Sequence, residues 1–211
     1  MLYIIAYNNS DTHLFLRFLS VIFVSGVGLF VSNSFLSFFL FYEFLLIPSF
    51  FILYNYAKTR KAVEAAFLMF FWTQVGAMCL FFFFINLFFT SNSTLFLGMQ
   101  SVSVSNTQQV LSTLLLLIGF GVKFPIWPFY EWLPKAHVES STNFSIFLSG
   151  VLVKFAFFGF FKCLYYLNSN SSILIPYVWL SVGIVDVSMK LYYQIDLKKL
   201  IAYATTIETV S

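Results

Sequence analysis

LIGFGVKFPIWPFYEWLPKAHVES, residues 117–140, decides how the chain is read. It begins as a membrane-quality apolar helix, meets Lys123, and runs at once into Pro125 and Pro128. Proline lacks an amide hydrogen and its ring clashes with the turn before it, so the helix must kink or break beside the charge. The next apolar run, FSIFLSGVLVKFAFFGFF (144–161), carries a second lysine, Lys154, near its middle. A charge at the centre of a membrane helix costs roughly 2.5–3.5 kcal/mol on insertion scales. Two such lysines, one beside broken backbone, point to a buried hydrophilic pathway.

Composition agrees. Of 211 residues, 60% are hydrophobic and only 9% charged, with a mean hydropathy of +0.89. Soluble domains carry about 25% charged residues, so this is an all-α polytopic membrane protein, a single membrane domain over 1–211. The 31 Phe and 12 Tyr suggest AT-rich organellar coding. Crossing the hydrocarbon takes about 20 apolar residues, and six runs qualify: 14–32, 35–56, 64–89, 110–129, 143–166 and 173–194. The fourth contains the break. The connector 90–109 is polar and uncharged and reads as an aqueous loop; 131–142 is a short connector with room for a helical turn after Pro134. Residues 197–211 read as the start of a seventh span. The expectation is about six transmembrane helices plus a partial seventh, with one broken helix.

Charge sets orientation. If one face holds the 57–61 loop, it also collects Arg17, Lys58, Arg60, Lys61, Lys135, Lys190, Lys198 and Lys199, leaving Lys162 for the other. Lys and Arg favour the cytoplasmic side, or the matrix in a mitochondrion.

Several chemistries are excluded. There is no glycine-rich phosphate loop, CxxC or HExxH, and Cys79 and Cys163 lack the partner spacing of a disulfide or metal framework. MLYIIAYNNS is too short, and lacks the basic region, for a cleavable leader. Nothing points to a haem, flavin, iron–sulfur or metal site, and the few basic residues do not describe a nucleic-acid surface.

The buried ionisable groups remain. Glu43 sits inside FLSFFLFYEFLLIPSFFIL (35–53), with Pro48 freeing a carbonyl one turn back. Lys123 is either a static partner that neutralises Glu43 or a proton carrier. Broken helices at membrane depth line cavities or transport sites, which favours the carrier. Lys154 has about 11 residues of span before it, ~16 Å, too deep to reach water easily; Gly150 and Gly159 beside it permit close helix approach. His137 is a capping histidine or a proton inlet, since imidazole titrates near neutrality. Asp186 faces a neighbouring chain or pairs with Lys190 one turn on. Glu131 and Lys135 are separated by Pro134, and read as a solvated loop.

VKFPIWPFYEWLPKAHVES (122–140) and LSGVLVKFAFFGF (148–160), with FYEFLLIPSFF (41–51), TQVGA (73–77) and DLKKLIAY (196–203) in that order, resemble the antiporter-like membrane subunits of respiratory complex I. The resemblance runs from Phe38 to Tyr203. It implies that Glu43 is the carboxylate of the family's fifth helix, which pairs with a lysine. It makes Lys123 the lysine of the discontinuous seventh helix, Lys154 that of the eighth, and His137 the histidine of the following connector. It further implies the first repeat of the antiporter-like fold, an uptake-side proton half-channel and central lysine relay of NADH:ubiquinone oxidoreductase, and a mitochondrial inner membrane setting with basic loops in the matrix. NADH, FMN, iron–sulfur clusters and ubiquinone would belong to other subunits, with no cofactor in this chain. Three departures stand out: measured against the family pattern, the sequence reads as lacking the first three helices and stopping at the start of the tenth; it reads as lacking the second inverted repeat with its exit-side acid; and Phe129-Tyr130 replaces a family histidine, with Glu131 where a small residue is usual. The chain therefore reads as one piece of a split subunit, its partners being a second polypeptide that completes the fold, other membrane-arm subunits and the lipid bilayer. Stand-alone cation/proton antiporters share the architecture and form the alternative reading; a purely structural membrane-arm element is the third.

Overall fold

Small polar residues punctuate the apolar runs and set where helices start. The computed structural model describes residues 12–57, 59–99, 106–167 and 174–210, and no strand occurs among them. Helix α1 is Thr12–Val31. Ser34 then caps α2 (Phe35–Phe44) by accepting from the Ser37 amide. α3 (Leu46–Asn55) continues the same span after an interruption at Leu45. Pro48 explains the interruption, since it cannot donate to the Phe44 carbonyl four residues back. Thr59 caps α4 (Arg60–Ser91), and Asn92 ends it in the left-handed region at φ 50°, a conformation Asn tolerates at helix ends.

A short helix α5 (Phe96–Met99) follows, then α6 (Asn106–Gly121). Beyond the break come a 3-10 turn (Phe129–Glu131) and α7 (Trp132–Glu139). α8 (Thr142–Phe147) passes through a π-helical turn, Leu148–Leu152, into α9 (Val153–Leu167). α10 (Leu174–Tyr192) and α11 (Leu197–Val210) complete the order.

The all-helical membrane architecture matches expectation. Among the described residues, four helices are long and apolar enough to cross a membrane: His13–Val31, Phe35–Asn55, Arg60–Ser91 and Thr142–Tyr165. The fourth expected span is shorter, because Pro125 and Pro128 end its helix at Gly121. Two local expectations need correction. The 90–109 connector is not simply an aqueous loop: Phe96 is buried among Phe38 and Phe84, and the Phe96 amide donates to the Asn33 carbonyl. Nor does Pro134 spoil a helix at 131–142. It lies in the first turn of α7, where amides have no intrahelical acceptor to lose.

The two ends differ in charge as the sequence suggests. At one end Thr59 donates to Glu139, and Lys198 reaches the Val138 and Ser140 carbonyls. Lys61, Lys135 and Lys199 line one cavity with Glu64, Glu139 and Asp196. Lys58 lies outside the described residues. At the opposite end Lys162 donates to the Ser32 carbonyl amid the rings of Phe38, Phe96 and Phe158.

Between the ends, α4 and α6 meet through Gly76 and Gly119. A Cβ on Gly76 would lie 2.8 Å from the Gly119 carbonyl oxygen, and one on Gly119 would lie 2.5 Å from Leu80 Cγ. This close approach brings the broken helix against α4. Gly159 likewise admits the rings of Phe120 and Phe38, whereas Gly150 faces open space and so supports no close packing. Overpacking a tight interface costs about 1–3 kcal/mol. Gly76→Val, which presses side-chain carbons onto backbone rather than a movable side chain, is expected to lower the thermal unfolding midpoint of the purified assembly, while Gly150→Ala leaves it unchanged.

Candidate functional site

The break beside Lys123 begins as a problem of hydrogen-bond satisfaction. Pro125 cannot donate to the Gly121 carbonyl, so the Ile126 amide does, at 2.8 Å. With that amide diverted, the Val122 carbonyl would lack a donor in an apolar interior, where an unpaired polar group costs several kcal/mol, about 2–7 depending on reference. The buried Trp132 indole supplies one: its Nε1 donates to the Val122 oxygen at 2.7 Å. Trp132 thus ties α7 back across the break and leaves the Lys123 side chain free to reach toward α2.

There Lys123 Nζ donates to the Tyr42 carbonyl at 2.8 Å and lies 3.4 Å from the centroid of the Tyr42 ring. Glu43 is the next residue. Among the described residues its buried Oε1 has no hydrogen-bond partner, and no ion pair joins Glu43 to Lys123. The structure brings Glu43 and Lys123 to one place but does not form the direct pair that the resemblance implies. The reason is local: the ammonium is already held by Tyr42.

A cavity of about 20 Å³ adjoins this contact, lined by Tyr42, Ser49, Thr73, Lys123, Trp132 and, from the other side, the π turn and Val153 and Ala156. One water needs about 10–15 Å³ measured this way, so the space is water-sized. The Tyr42 hydroxyl is buried and unpartnered among the described residues. Ser49 and Thr73 spend their hydroxyl hydrogens on the carbonyls of Leu45 and Met69 in their own helices, leaving lone pairs.

Lys154 falls elsewhere. Val153 and Ala156 face the cavity, while Lys154 turns to α11, where its Nζ is 3.8 Å from Glu208 Oε2, with the lysine side chain 45% exposed. The expectation that Lys154 is buried at mid-span is therefore corrected: its depth along the helix does not put it in the core, because it sits on an outward face. Pro125 is buried and Pro128 exposed.

His137, in the connector beyond the spans, is buried, with Nδ1 2.6 Å from Ser145 Oγ and Nε2 without a partner among the described residues. Burial, with the Lys198 charge adding to it, holds the imidazole well below its ordinary value, at about 4. It does not titrate near neutrality as its residue type suggested; at pH 7 it is neutral, with one nitrogen able to accept a proton.

Asp186 pairs with Lys190, one turn on, at 3.3 Å. The sequence did not anticipate Tyr130, whose hydroxyl donates to Asp186 and accepts from Lys190. Tyr42 and Trp132 were also missed. Tyr42 adjoins a suspect acid, but aromatic residues are so frequent here that its position carried no signal. Glu131 is exposed, and Cys163 is buried as a packing residue while Cys79 is partly so.

A broken membrane helix carrying a lysine against an acid-bearing interrupted helix describes a polytopic membrane protein with ionisable groups held between its helices. Comparison with known proteins makes the class specific: the model for the NADH:quinone oxidoreductase/Mrp antiporter transmembrane family matches residues 32–208, and the chain belongs to that family. It is 37% identical over 183 residues to NADH-ubiquinone oxidoreductase chain 4 of Paramecium tetraurelia, covering 87% of this chain and 39% of that one. It is 31% identical to chain 4 of Marchantia polymorpha, covering 85% and 37%. The chain thus spans about two fifths of the length of these relatives. Its fold matches a chain of respiratory complex I from Thermus thermophilus with bound NADH at a TM-score of 0.80 and 22% identity, covering 92% of this chain and 43% of that one.

The neutral, buried His137 has a consequence for stability. An unfolded histidine takes up its proton near pH 6.5 while the folded one resists to about 4, so the unfolded state binds more protons in that window. Stability is full above pH 6.5 and falls as the pH drops toward 4. Thermal melts of the purified assembly across this range are expected to show that fall, and His137→Asn is expected to flatten it.

Proposed function

We propose that this chain is a piece of the membrane arm of a proton-pumping NADH:ubiquinone oxidoreductase, supplying its uptake-side proton half-channel and central lysine. The observation that carries the reading is the Lys123 ammonium at a helix break, beside a half-buried Glu43 with its Oε1 shielded and a water-sized cavity. Relatives at 31–37% identity named as chain 4 of that enzyme favour it over a stand-alone antiporter.

In this reading protons enter from the basic end. His137, neutral and hydrogen-bonded to Ser145, relays a proton without holding the charge: one ring nitrogen accepts as the other gives its proton up toward the cavity. Lys123 and Glu43 exchange it there. Lys154, opposite Glu208, carries it sideways toward α11. The basic end faces the matrix by the bias of Lys and Arg, and the setting is the mitochondrial inner membrane. Other membrane-arm subunits, and a second polypeptide completing the antiporter-like fold, are the partners. NADH, FMN, iron–sulfur clusters and ubiquinone act in other subunits, so this chain performs no redox chemistry.

The test is proton pumping per NADH oxidised by the intact complex in sealed membranes. Lys123→Ala and Glu43→Ala are each expected to abolish coupled pumping while the complex still assembles. Normal, fully coupled pumping by both variants would refute the proposal. Replacing Lys123 and Lys154 together with Met separates transport from scaffolding, because a purely structural element would tolerate it.

A further inference from the structure

Both described contacts of the Lys123 ammonium belong to a residue outside the lysine–carboxylate relay. Tyr42 gives it a backbone carbonyl at 2.8 Å and a ring face at 3.4 Å. The ring cannot move easily. It is 1% exposed, stacked on Phe38 with centroids 6.2 Å apart, and met edge-on by Phe120 at 5.3 Å. The carbonyl lies in the last turn of α2, just before the interruption at Leu45, where helix carbonyls run short of intrahelical donors. A cation over an aromatic face is attracted by the ring quadrupole, most strongly when water is excluded. Apart from Lys123 itself, the side chains lining the adjoining cavity are uncharged.

Adjacent residues on a helix project about 100° apart, so Tyr42 and Glu43 offer two directions to one flexible lysine. The structure shows it on the first, with Glu43 Oε1 unpartnered. We propose that Tyr42 is a positioning residue, which seats the Lys123 ammonium through its ring face and main-chain carbonyl, and that the ammonium leaves this seat to reach Glu43. This rests on the proton-relay reading. On reaching Glu43, one N–H proton passes to a carboxylate oxygen, leaving a neutral amine and a carboxylic acid; Glu43 then releases that proton to water on its half-exposed side, restoring the carboxylate, and uptake from the cavity side returns the ammonium to Tyr42. The phenolic hydroxyl, without a partner among the described residues, has no part in the seat.

The experiment measures NADH-driven proton pumping against pH in the intact complex in sealed membranes, comparing Tyr42→Leu, Tyr42→Phe and Lys123→Ala. Tyr42→Leu keeps the carbonyl and removes the ring face. It is expected to cut proton yield per NADH roughly tenfold and to move the alkaline limb of the profile down by about one pH unit, since a desolvated cation–π contact is worth about one pK unit or more. Tyr42→Phe, which retains the ring, is expected to restore the limb and most of the yield. A purely structural role would lower the amount assembled without moving the limb. If Tyr42→Leu fails to assemble, Tyr42→Met supplies similar volume without a ring and is held to the same outcome. The seat is overturned if Lys123→Ala stops pumping while the ring-free variant keeps the parental profile, or if Tyr42→Phe matches Tyr42→Leu. Normal pumping by Lys123→Ala would instead overturn the relay itself.

Discussion

A backbone carbonyl in hydrocarbon must find a donor inside the protein, and the arrangement around residues 121–132 follows from that constraint. Pro125 removes one amide, the Ile126 amide fills its place at Gly121, and the Trp132 indole completes the set at Val122. Each substitution fixes the next. The indole can reach only if α7 folds back against the break, which turns Lys123 toward α2. There the same constraint reappears from the other side, in a span interrupted at Leu45, where Lys123 becomes the outside donor to Tyr42. Two imperfect helices complement each other.

Packing permits this meeting. Gly76 and Gly119 let α4 and α6 touch backbone to backbone, and Gly159 lets the Phe120 and Phe38 rings into the surface of α9. Around the site the aromatic wall is dense: Phe38, Tyr42, Phe84, Phe96, Phe120 and Phe160 join in edge-on and stacked contacts. This dry mass fills the Lys162 end. The histidine and most of the charged side chains gather toward the other, while serine and threonine hydroxyls occur at both. A gradient of charge runs along the bundle, and Lys123 stands part-way along it.

Much of this was legible beforehand because hydrocarbon is an unforgiving solvent. The apolar runs, the break after Lys123 and the division of charge between two ends all follow from what a bilayer tolerates. The Asp186–Lys190 pair could be read from helical spacing alone. What could not be read depends on rotation about a helix axis and on contacts between distant residues. Lys154 has the depth of a buried residue but the outward face of an exposed one. The Trp132–Val122 bond spans a backbone path that no periodicity describes. His137 looks like a neutral-pH titrator until burial is known. In a chain so rich in phenylalanine and tyrosine, an aromatic residue that holds a cation resembles all the others.

The π-helical turn at Leu148–Leu152 accommodates one more residue than an α-helical turn would. One residue corresponds to about 100° of rotation, so everything beyond it is dialled round relative to an unbroken helix. That offset presents Val153 and Ala156 to the space beside Lys123 and swings Lys154 away to Glu208. A single inserted position therefore acts as a phase shifter, keeping two amines of the same chain from crowding one small, poorly screened volume.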